Sequence, residues 1–198
     1  GDPLAVLVDL FGQQGKTEGT RRIYRVAVEE VGNVVAVVSP STFVSFMKEH
    51  LSEVGDIAKK SVEELNLGTG PVKAIQKDTE TLEGYKRLLD GEVSAVAIVN
   101  PEGELEGCLS NSDLKGRSEK DLFQSLFAPV ASYIKNLETS KAWGGEQTPV
   151  SVRKSDTLAH CIIGLAGKRV HRLFVVDDEW KPTQVITLGD VIQLLQQE

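Results

Sequence analysis

The chain of 198 residues has few of the residues that build disulfides and metal centres. It contains two cysteines and three histidines, and Cys108 and Cys161 lie in apolar segments without a ligand-like spacing to any histidine. This placement is typical of buried thiols in a reducing compartment. It predicts a cytoplasmic or nuclear protein without a metal site. A formal net charge of -7 gives no overall basic surface for DNA or RNA, although a local basic cleft remains compatible with it.

Long apolar runs are also missing. No stretch approaches the roughly 20 apolar residues that cross a bilayer, and residues 1–10 do not have the pattern of a secretory signal. The sequence shows no nucleophile–base pair, no metal-ligand cluster and no phosphate-binding loop. It therefore predicts neither a membrane protein nor an enzyme. The 40% hydrophobic and 26% charged residues are ordinary for a globular protein.

A pattern of two short strands followed by a helix recurs along the chain. Near the C-terminal end, Arg172–Val176 and Gln184–Ile186 are β-branched runs bounded by turn residues, which predicts a hairpin. The apolar residues from Val191 to Leu195 then take helical spacing. The complete upstream form is strand, helix, strand, strand, helix. A unit of this size cannot cover its own sheet, so such units have to pair.

The recurrences predict an α/β fold of the α+β kind, built from tandem repeats that pair. We expect a partial repeat at residues 1–52, a complete repeat at 57–117, a connecting helix and loop at 118–142, and a complete repeat at 143–198. The partial repeat has strands at Ile23–Val28 and Val34–Val38 but lacks a lead strand. We expect the two complete repeats to pair with each other into one module, because neither can cover its own sheet. The partial repeat should then need a partner outside the sequence.

The connecting segment carries one long apolar stripe, from Leu122 to Leu137, with Pro129 at its centre. Proline removes a backbone donor, so a kink is expected there. The stripe favours a helix packed on the core. The alternative is a face that docks another subunit.

The start of the final helix has a hydroxyl residue in each repeat, followed three residues later by a carboxylate in two of the three. The three copies read Ser39-Pro40-Ser41-Thr42, Ser110-Asn111-Ser112-Asp113 and Thr187-Leu188-Gly189-Asp190. A hydroxyl followed three residues later by a carboxylate caps a helix, which contributes about 1 kcal/mol. A carboxylate at a helix start beside a cleft can also accept hydrogen bonds from the hydroxyls of a ribose. Spacing alone leaves both roles open.

Basic residues stand near the first hairpin strand of two copies. Arg25 lies in one, and His171 and Arg172 lie in another, whereas the middle copy has Val93-Ser94-Ala95. An arginine at a half-buried strand needs an anion, and its planar fork suits a phosphate. The alternatives are a salt bridge to a neighbouring acid for each arginine and a satisfied core position for His171.

These residues carry a resemblance. Val170–Leu195 resembles a cystathionine-β-synthase (CBS) domain, the small repeat that pairs into an adenosine-ligand-binding Bateman module. Ser61–Thr69 resembles the linker between the second and third repeats of AMP-activated protein kinase gamma subunits. Val93–Ala95 and Val170–Leu173 are similar to the hairpin strands of that family's third and fourth repeats. On this resemblance the partial repeat is the remainder of the second one.

The resemblance implies two nucleotide sites. The residues implied for the first hold the adenine, the ribose and the phosphates: Thr69, Ala74, Val93, Ser94, Asp190 with its neighbour Thr187, and His171. Those implied for the second are Ser110, Asp113, Val170 and Arg172, and Arg25 matches an arginine that reaches phosphate from the second repeat. Thr42 stands where the family's second repeat also lacks an aspartate, and that site is empty there.

The function implied is that of a non-catalytic regulatory subunit that senses AMP, ADP or ATP and has no catalytic cofactor. The partners implied are kinase catalytic and scaffold subunits, together with the missing first CBS repeat or another copy of the chain. Two alternatives to this function remain open. In the first, the chain is a CBS-repeat scaffold that binds proteins without nucleotide. In the second, it is the regulatory part of a larger enzyme or transporter.

Overall fold

The computed structural model describes residues 3–12, 23–114, 119–139 and 149–195. The helices are α1 (Pro3–Gly12), α2 (Pro40–Glu49), α3 (Thr81–Asp90), α4 (Glu119–Leu126), α5 (Val130–Thr139), α6 (Leu158–Gly167) and α7 (Leu188–Leu194). The strands are β1 (Val26–Glu30), β2 (Asn33–Val38), β3 (Ala74–Gln76), β4 (Ala95–Val99), β5 (Leu105–Ser110), β6 (Ser151–Val152), β7 (Arg172–Val176) and β8 (Pro182–Thr187). Single 3-10 turns cover Asp56–Lys59 and Asn111–Leu114.

The strands form one two-stranded and two three-stranded sheets, in the orders β1-β2, β3-β4-β5 and β6-β7-β8. Strand β3 pairs with β4 in parallel, and β4 pairs with β5 antiparallel. Helix α3 follows β3 and helix α6 follows β6, as a parallel connection requires. The mixed α/β class predicted from the sequence is confirmed.

Strand β1 starts three residues later than the predicted Ile23. Val26 pairs with Val38, the last residue of β2. The next residue, Ser39, has left the strand to cap α2, and its hydroxyl accepts a hydrogen bond from the Thr42 backbone N–H. Strand β1 therefore has no partner before Val26. A register shift between Val28 and Glu29 lets it continue to Glu30 instead.

The described chain divides into two compact units. The first unit comprises residues 1–69, 152–175 and 185–198, and the second comprises residues 70–151 and 176–184. In the first, helix α1 packs on α7 and helix α2 packs on α6. Val44, Leu158 and Ile162 are fully buried there. The expectation that the partial repeat has no mate within the sequence is therefore wrong for its helices, because the last repeat covers them.

The strands of the partial repeat are different, because most of their residues are exposed to solvent. Val34, Val35 and Val37 are 66%, 53% and 54% exposed. The other two sheets carry a third strand beside the equivalent of β1, namely β3 beside β4 and β6 beside β7. Among the described residues, no strand takes that place beside β1. An isolated hairpin of this kind is marginal in water.

The second unit has its core between its sheet and two helices. Ten buried residues form it: Ile75, Tyr85, Leu88, Val96, Ile98, Leu109, Val130, Tyr133, Ile134 and Leu137. Four of them belong to α5, so the predicted packing of the connecting segment on a core is confirmed. Residues 127–129 separate α4 from α5, so Pro129 ends up in a break between two helices rather than in a kink.

The two cysteines differ in exposure. Cys161 is fully buried in α6, and burial, helped by the nearby Asp156 carboxylate, raises the pKa of its thiol to about 12. Cys108 is only half-buried. The expectation of two buried thiols is thus confirmed for Cys161 and wrong for Cys108. Within the described ranges, no helix has the length and apolar character needed to span a membrane.

Glycine at position 84 lets helix α3 approach its sheet. A Cβ at this buried position would lie 2.7 Å from Leu109 Cδ2 and 3.0 Å from Ile75 Cδ1. Both neighbours are core residues and have little room to move. We expect Gly84→Ala to lower the free energy of unfolding by about 1–3 kcal/mol, measured by urea denaturation.

Gly167→Ala is the matched control, since Gly167 ends helix α6 and a Cβ there would meet no atom within 4 Å. This change should be neutral or raise the stability by up to about 1 kcal/mol. Equal destabilisation by the two substitutions would contradict the close approach at Gly84.

A hydroxyl–carboxylate pair also organises the linker before β3. Ser61 N and Ser61 Oγ both donate to Glu64 Oε2 at 2.7 Å, and Glu64 N donates back to Ser61 Oγ at 3.2 Å. Residues 62–66 form turns rather than a helix. Hydrogen bonds from the Ser61 backbone and then from its side chain lower the pKa of Glu64.

We expect Ser61→Ala to raise the pKa of Glu64 part of the way to its ordinary value, because one of the two donors is lost. Ser61→Thr keeps the hydroxyl and should leave the pKa low. A lowered pKa stabilises the folded chain above the unfolded-state pKa, and this contribution disappears as the pH falls through the folded-state value. NMR titration of the Glu64 carboxyl carbon measures the shift; an unchanged pKa in Ser61→Ala would contradict this description.

Candidate functional site

Asp190 closes a reciprocal capping box at the start of α7. Thr187 N and Thr187 Oγ1 donate to Asp190 Oδ2 at 2.7 and 2.8 Å, and Asp190 N donates to Thr187 Oγ1 at 3.3 Å. The capping role expected from the spacing is therefore present. It uses one carboxylate oxygen.

The other oxygen of Asp190 has a different environment. Asp190 Oδ1 takes part in no hydrogen bond with any described residue. The side chain is only partly buried, so this oxygen is accessible to a ligand. The cap and a ligand contact are consequently compatible, since a carboxylate has about four acceptor positions and the cap takes two.

Thr69 and His171 lie near this capping box, in the same unit. Thr69 and Val185 exchange both backbone hydrogen bonds at 2.9 Å, which ties the linker to strand β8 two residues before Thr187. Leu188 N donates to His171 O at 3.3 Å, which places His171 beside the first residue of α7. Both side chains are exposed. We call Thr69, His171, Thr187 and Asp190 the Asp190 cluster.

The second unit holds a matching arrangement around Asp113. Ser110 N and Ser110 Oγ donate to Asp113 Oδ2 at 2.6 and 2.9 Å. Asn111 N donates to Ser94 O at 3.2 Å, so Ser94 stands beside this turn. Asp113 is 5% exposed and is therefore less open than Asp190. We call Ser94, Ser110 and Asp113 the Asp113 cluster.

The partial repeat has the cap without the carboxylate. Ser39 Oγ lies 2.9 Å from Thr42 Oγ1 and accepts from Thr42 N at 3.2 Å. Pro40 occupies the first helical position, where its missing N–H costs nothing. The helix start is thus conserved in geometry, while the ability to accept two ribose hydroxyls is not.

The structure excludes the alternatives that the sequence left open for two of the three basic residues. His171 is exposed, which excludes the core position considered for it. Arg172 is half-buried at the start of β7. Arg25 is exposed and forms no ion pair or hydrogen bond with any described residue, so the salt bridge considered for it is not observed.

The remaining predicted residues lie in or next to strands β3, β4 and β7. Ala74 opens β3 and is exposed, pairing with Ala97 of β4, and Val93 lies half-buried just before β4. Val170 is half-buried directly before His171. Among the described residues, no group of three or more His, Cys, Asp or Glu side chains is placed to hold a metal ion.

The sequence pattern did not indicate that Tyr133 contacts a predicted site. Tyr133 of α5 is fully buried, and its hydroxyl donates to the backbone oxygen of Asp113 at 2.8 Å. A bond from a side chain to a backbone carbonyl 20 positions away leaves no pairing pattern in one sequence. The apolar stripe explains why Tyr133 is buried but not what its hydroxyl does.

Comparisons with known proteins agree with this geometry. Residues 146–197 match the family model of the CBS domain. The chain is 26% identical over 163 residues to the 5'-AMP-activated protein kinase subunit gamma of Saccharomyces cerevisiae, covering 82% of this chain and 49% of that protein. It is 24% identical over 180 residues to protein sds23 of Neosartorya fischeri, covering 88% of this chain and 32% of that protein. The chain thus spans half or less of the length of these relatives.

Solved structures show the same fold. A conserved protein from Pyrococcus horikoshii superposes with a TM-score of 0.68 at 17% identity, covering 98% of this chain and 76% of that one. CBSX2 in complex with AMP gives a TM-score of 0.52 at 19% identity and covers 69% of this chain and 96% of its own. A CBS domain pair in complex with 5'-methylthioadenosine and S-adenosyl-L-methionine gives 0.51 at 16% identity, covering 69% and 95%.

The family match covers the hairpin β7–β8 and the capping box of α7. Residues 146–197 therefore match a CBS domain, and the chain has the fold of CBS domain pairs and is similar over most of its length to AMP-activated protein kinase gamma subunits and to Sds23 proteins.

Proposed function

We propose that the chain is a non-catalytic regulatory module that binds adenine nucleotides, AMP, ADP or ATP. The observation that supports this most is the accessible Oδ1 of Asp190 beside a cap that uses Oδ2 alone. Capping does not require this second oxygen. A ribose presents two neighbouring hydroxyls, and a carboxylate with one engaged oxygen still has acceptor positions for them.

The neighbours of Asp190 suit the rest of a nucleotide. His171 is an exposed imidazole that can donate to a phosphate oxygen, and the half-buried Arg172 follows it in the chain. A fixed positive group near a phosphate forms charge-assisted hydrogen bonds, which are stronger than neutral ones. Because the protein has a net charge of -7, an anion is expected to bind only where basic groups such as these are found locally.

The second proposed site is the Asp113 cluster. Its capping bonds repeat those of Asp190, with Ser110 in the place of Thr187. Following the resemblance, we assign Thr69, Ala74, Val93 and Ser94 to the adenine of the first site, and Val170 and Arg172 to the second site. Arg25 is assigned to phosphate because no described acid pairs with it. The Thr42 position is not assigned a ligand.

The solved relatives favour an adenosine ligand in particular. CBSX2 is described in complex with AMP, and another CBS domain pair in complex with two adenosine derivatives. Adenine and ribose are common to all of these ligands. This is the reason for proposing an adenine nucleotide rather than any other phosphate compound.

We further propose that the partners are the catalytic and scaffold subunits of a protein kinase, from the similarity to kinase gamma subunits. The exposed hairpin β1–β2 is the surface assigned to another CBS repeat, because the other two sheets hold a third strand where β1 has none among the described residues. Copurification with kinase catalytic and scaffold subunits tests the first proposal. Self-association of the chain, compared between the parent and Val35→Lys, tests the contact at the hairpin with a second copy, and Val35→Lys should weaken it.

Calorimetric titration of AMP, ADP and ATP tests the nucleotide proposal. We expect micromolar binding, about -7 to -9 kcal/mol. Asp190→Asn should weaken AMP binding by about 1–2 kcal/mol, because the ribose loses a charged acceptor. Arg172→Ala should weaken it by about 1.5–3 kcal/mol through loss of a charge-assisted contact.

The matched control is Glu64→Gln, the same change from carboxylate to amide in the Ser61–Glu64 pair, which shares no hydrogen bond with the Asp190 cluster. It should leave the affinity unchanged. If Asp190→Asn lowers the melting temperature while the affinity holds, Asp190 is a cap and not a ribose ligand. If the parent protein binds none of the three nucleotides, the nucleotide proposal is wrong and the scaffold of CBS repeats is favoured.

A further inference from the structure

Two buried tyrosines connect the core of the second unit to the Asp113 turn. The Tyr133 hydroxyl donates to Asp113 O at 2.8 Å, and the Tyr85 hydroxyl lies 3.0 Å from the Tyr133 hydroxyl. The two rings meet edge to face, with centroids 6.0 Å apart and an interplanar angle of 88°. Tyr133 is 0% and Tyr85 is 8% exposed, so these hydrogen bonds are shielded from water.

The direction of the hydrogen bonds follows from the number of hydrogens. Each tyrosine hydroxyl carries one hydrogen and can accept as well as donate. Because Tyr133 gives its hydrogen to the Asp113 carbonyl, Tyr85 supplies the hydrogen between the two hydroxyls. The chain of donation therefore runs from α3 through α5 to the backbone of Asp113. A chain of this kind strengthens its members, since each donation polarises the next.

The Asp113 turn depends on this support more than its counterpart does. Asp190 belongs to α7, which continues to Leu194 and is anchored by the buried Leu188, Val191 and Ile192. Asp113 belongs to a 3-10 turn of four residues, Asn111–Leu114, in which Asp113 is the buried one. A single turn has little stability of its own. The bond from Tyr133 holds the backbone at the residue that bears the carboxylate.

Helix α5 is itself held firmly, so the Tyr133 hydroxyl has a defined position. Val130 N donates to Thr79 O at 2.8 Å and Ala131 N donates to Lys77 O at 3.1 Å. Thr81 Oγ1 donates to Ala128 O at 2.8 Å. These bonds fasten the start of α5 to the loop between β3 and α3, independently of the tyrosines.

We infer that Tyr133 is a positioning residue for Asp113: its hydroxyl holds the Asn111–Leu114 turn so that the Asp113 carboxylate faces the ligand of the second site. This rests on the proposed nucleotide function. The role belongs to one of the two sites, since the Asp190 cluster is fastened by its own helix and by Thr69.

Tyr133→Phe removes the hydroxyl and keeps the ring. In an Asp190→Asn background, where binding at the Asp113 cluster dominates, we expect AMP affinity to fall roughly three- to tenfold on Tyr133→Phe. In an Asp113→Asn background, where the Asp190 cluster dominates, the same substitution should change the affinity by less than about twofold. Both affinities are measured by calorimetry at one protein concentration.

Tyr85→Phe is the matched control, because it removes a buried hydroxyl of the same cluster that hydrogen-bonds to the Tyr133 hydroxyl. Its effect on AMP should be smaller than that of Tyr133→Phe at a similar loss of stability. Equal losses in both backgrounds, or equal losses from the two tyrosines, would show a general structural role and overturn the inference.

Hydrogen exchange without nucleotide separates this inference from the proposed function. The amides of Ser110 and Asn111 donate to Asp113 Oδ2 and Ser94 O, so a loosened turn exposes them. We expect them to exchange faster in Tyr133→Phe than in Tyr85→Phe. If the parent binds no nucleotide, the proposed function fails, and faster exchange still supports the hold on the turn. Unchanged exchange in Tyr133→Phe would overturn it.

Discussion

A hydrogen-bonded pair of a hydroxyl and a carboxylate at the switch from strand to helix is the interaction on which this structure depends. In the last repeat Asp190 Oδ2 accepts from both the backbone and the side chain of Thr187. In the middle repeat Asp113 Oδ2 accepts from Ser110 in the same way. The pair stops the strand, starts the helix and leaves a carboxylate at the end of the sheet. One arrangement therefore supplies both the fold and an acceptor for a ligand.

The three copies of this arrangement differ in their exposure and in the residues that hold them. The Asp190 copy is partly open and is fastened through Thr69 and its own helix. The Asp113 copy is nearly buried and is reached by Tyr133 from the core. The Thr42 copy retains the cap alone. Capping is needed in all three because each helix has unpaired N–H groups at its start, and the Thr42 copy shows that the cap forms without a carboxylate.

Local patterns made much of the fold predictable. Strand β7 and the capping box at Thr187 were predictable from β-branched residues and from a three-residue spacing, both of which act within a few positions. The start of β1 was not, because it depends on where the partner strand ends. The mate of the partial repeat was also missed. That contact joins helices distant in sequence, and amphipathic spacing shows that a helix has a buried face without showing what covers it.

For the candidate site, the residues were predictable from the sequence but their roles were not. Residue types and spacing pointed to Asp190 and Asp113, but one sequence could not separate a cap from a ribose ligand, since both use a carboxylate at a helix start. The structure shows that the two roles are compatible at Asp190, because Oδ2 forms the cap and Oδ1 is accessible. The role of Tyr133 was beyond sequence reasoning, because its partner is a backbone carbonyl that every residue possesses.

The most direct measurement compares AMP with 2',3'-dideoxy-AMP in calorimetric titrations of the parent protein. The two ligands share adenine and phosphate and differ only in the hydroxyls assigned to the carboxylates. Loss of hydrogen bonds to a charged group should weaken the dideoxy compound at least about tenfold. Equal affinity for the two compounds would contradict the assignment of Asp190 and Asp113 to the ribose.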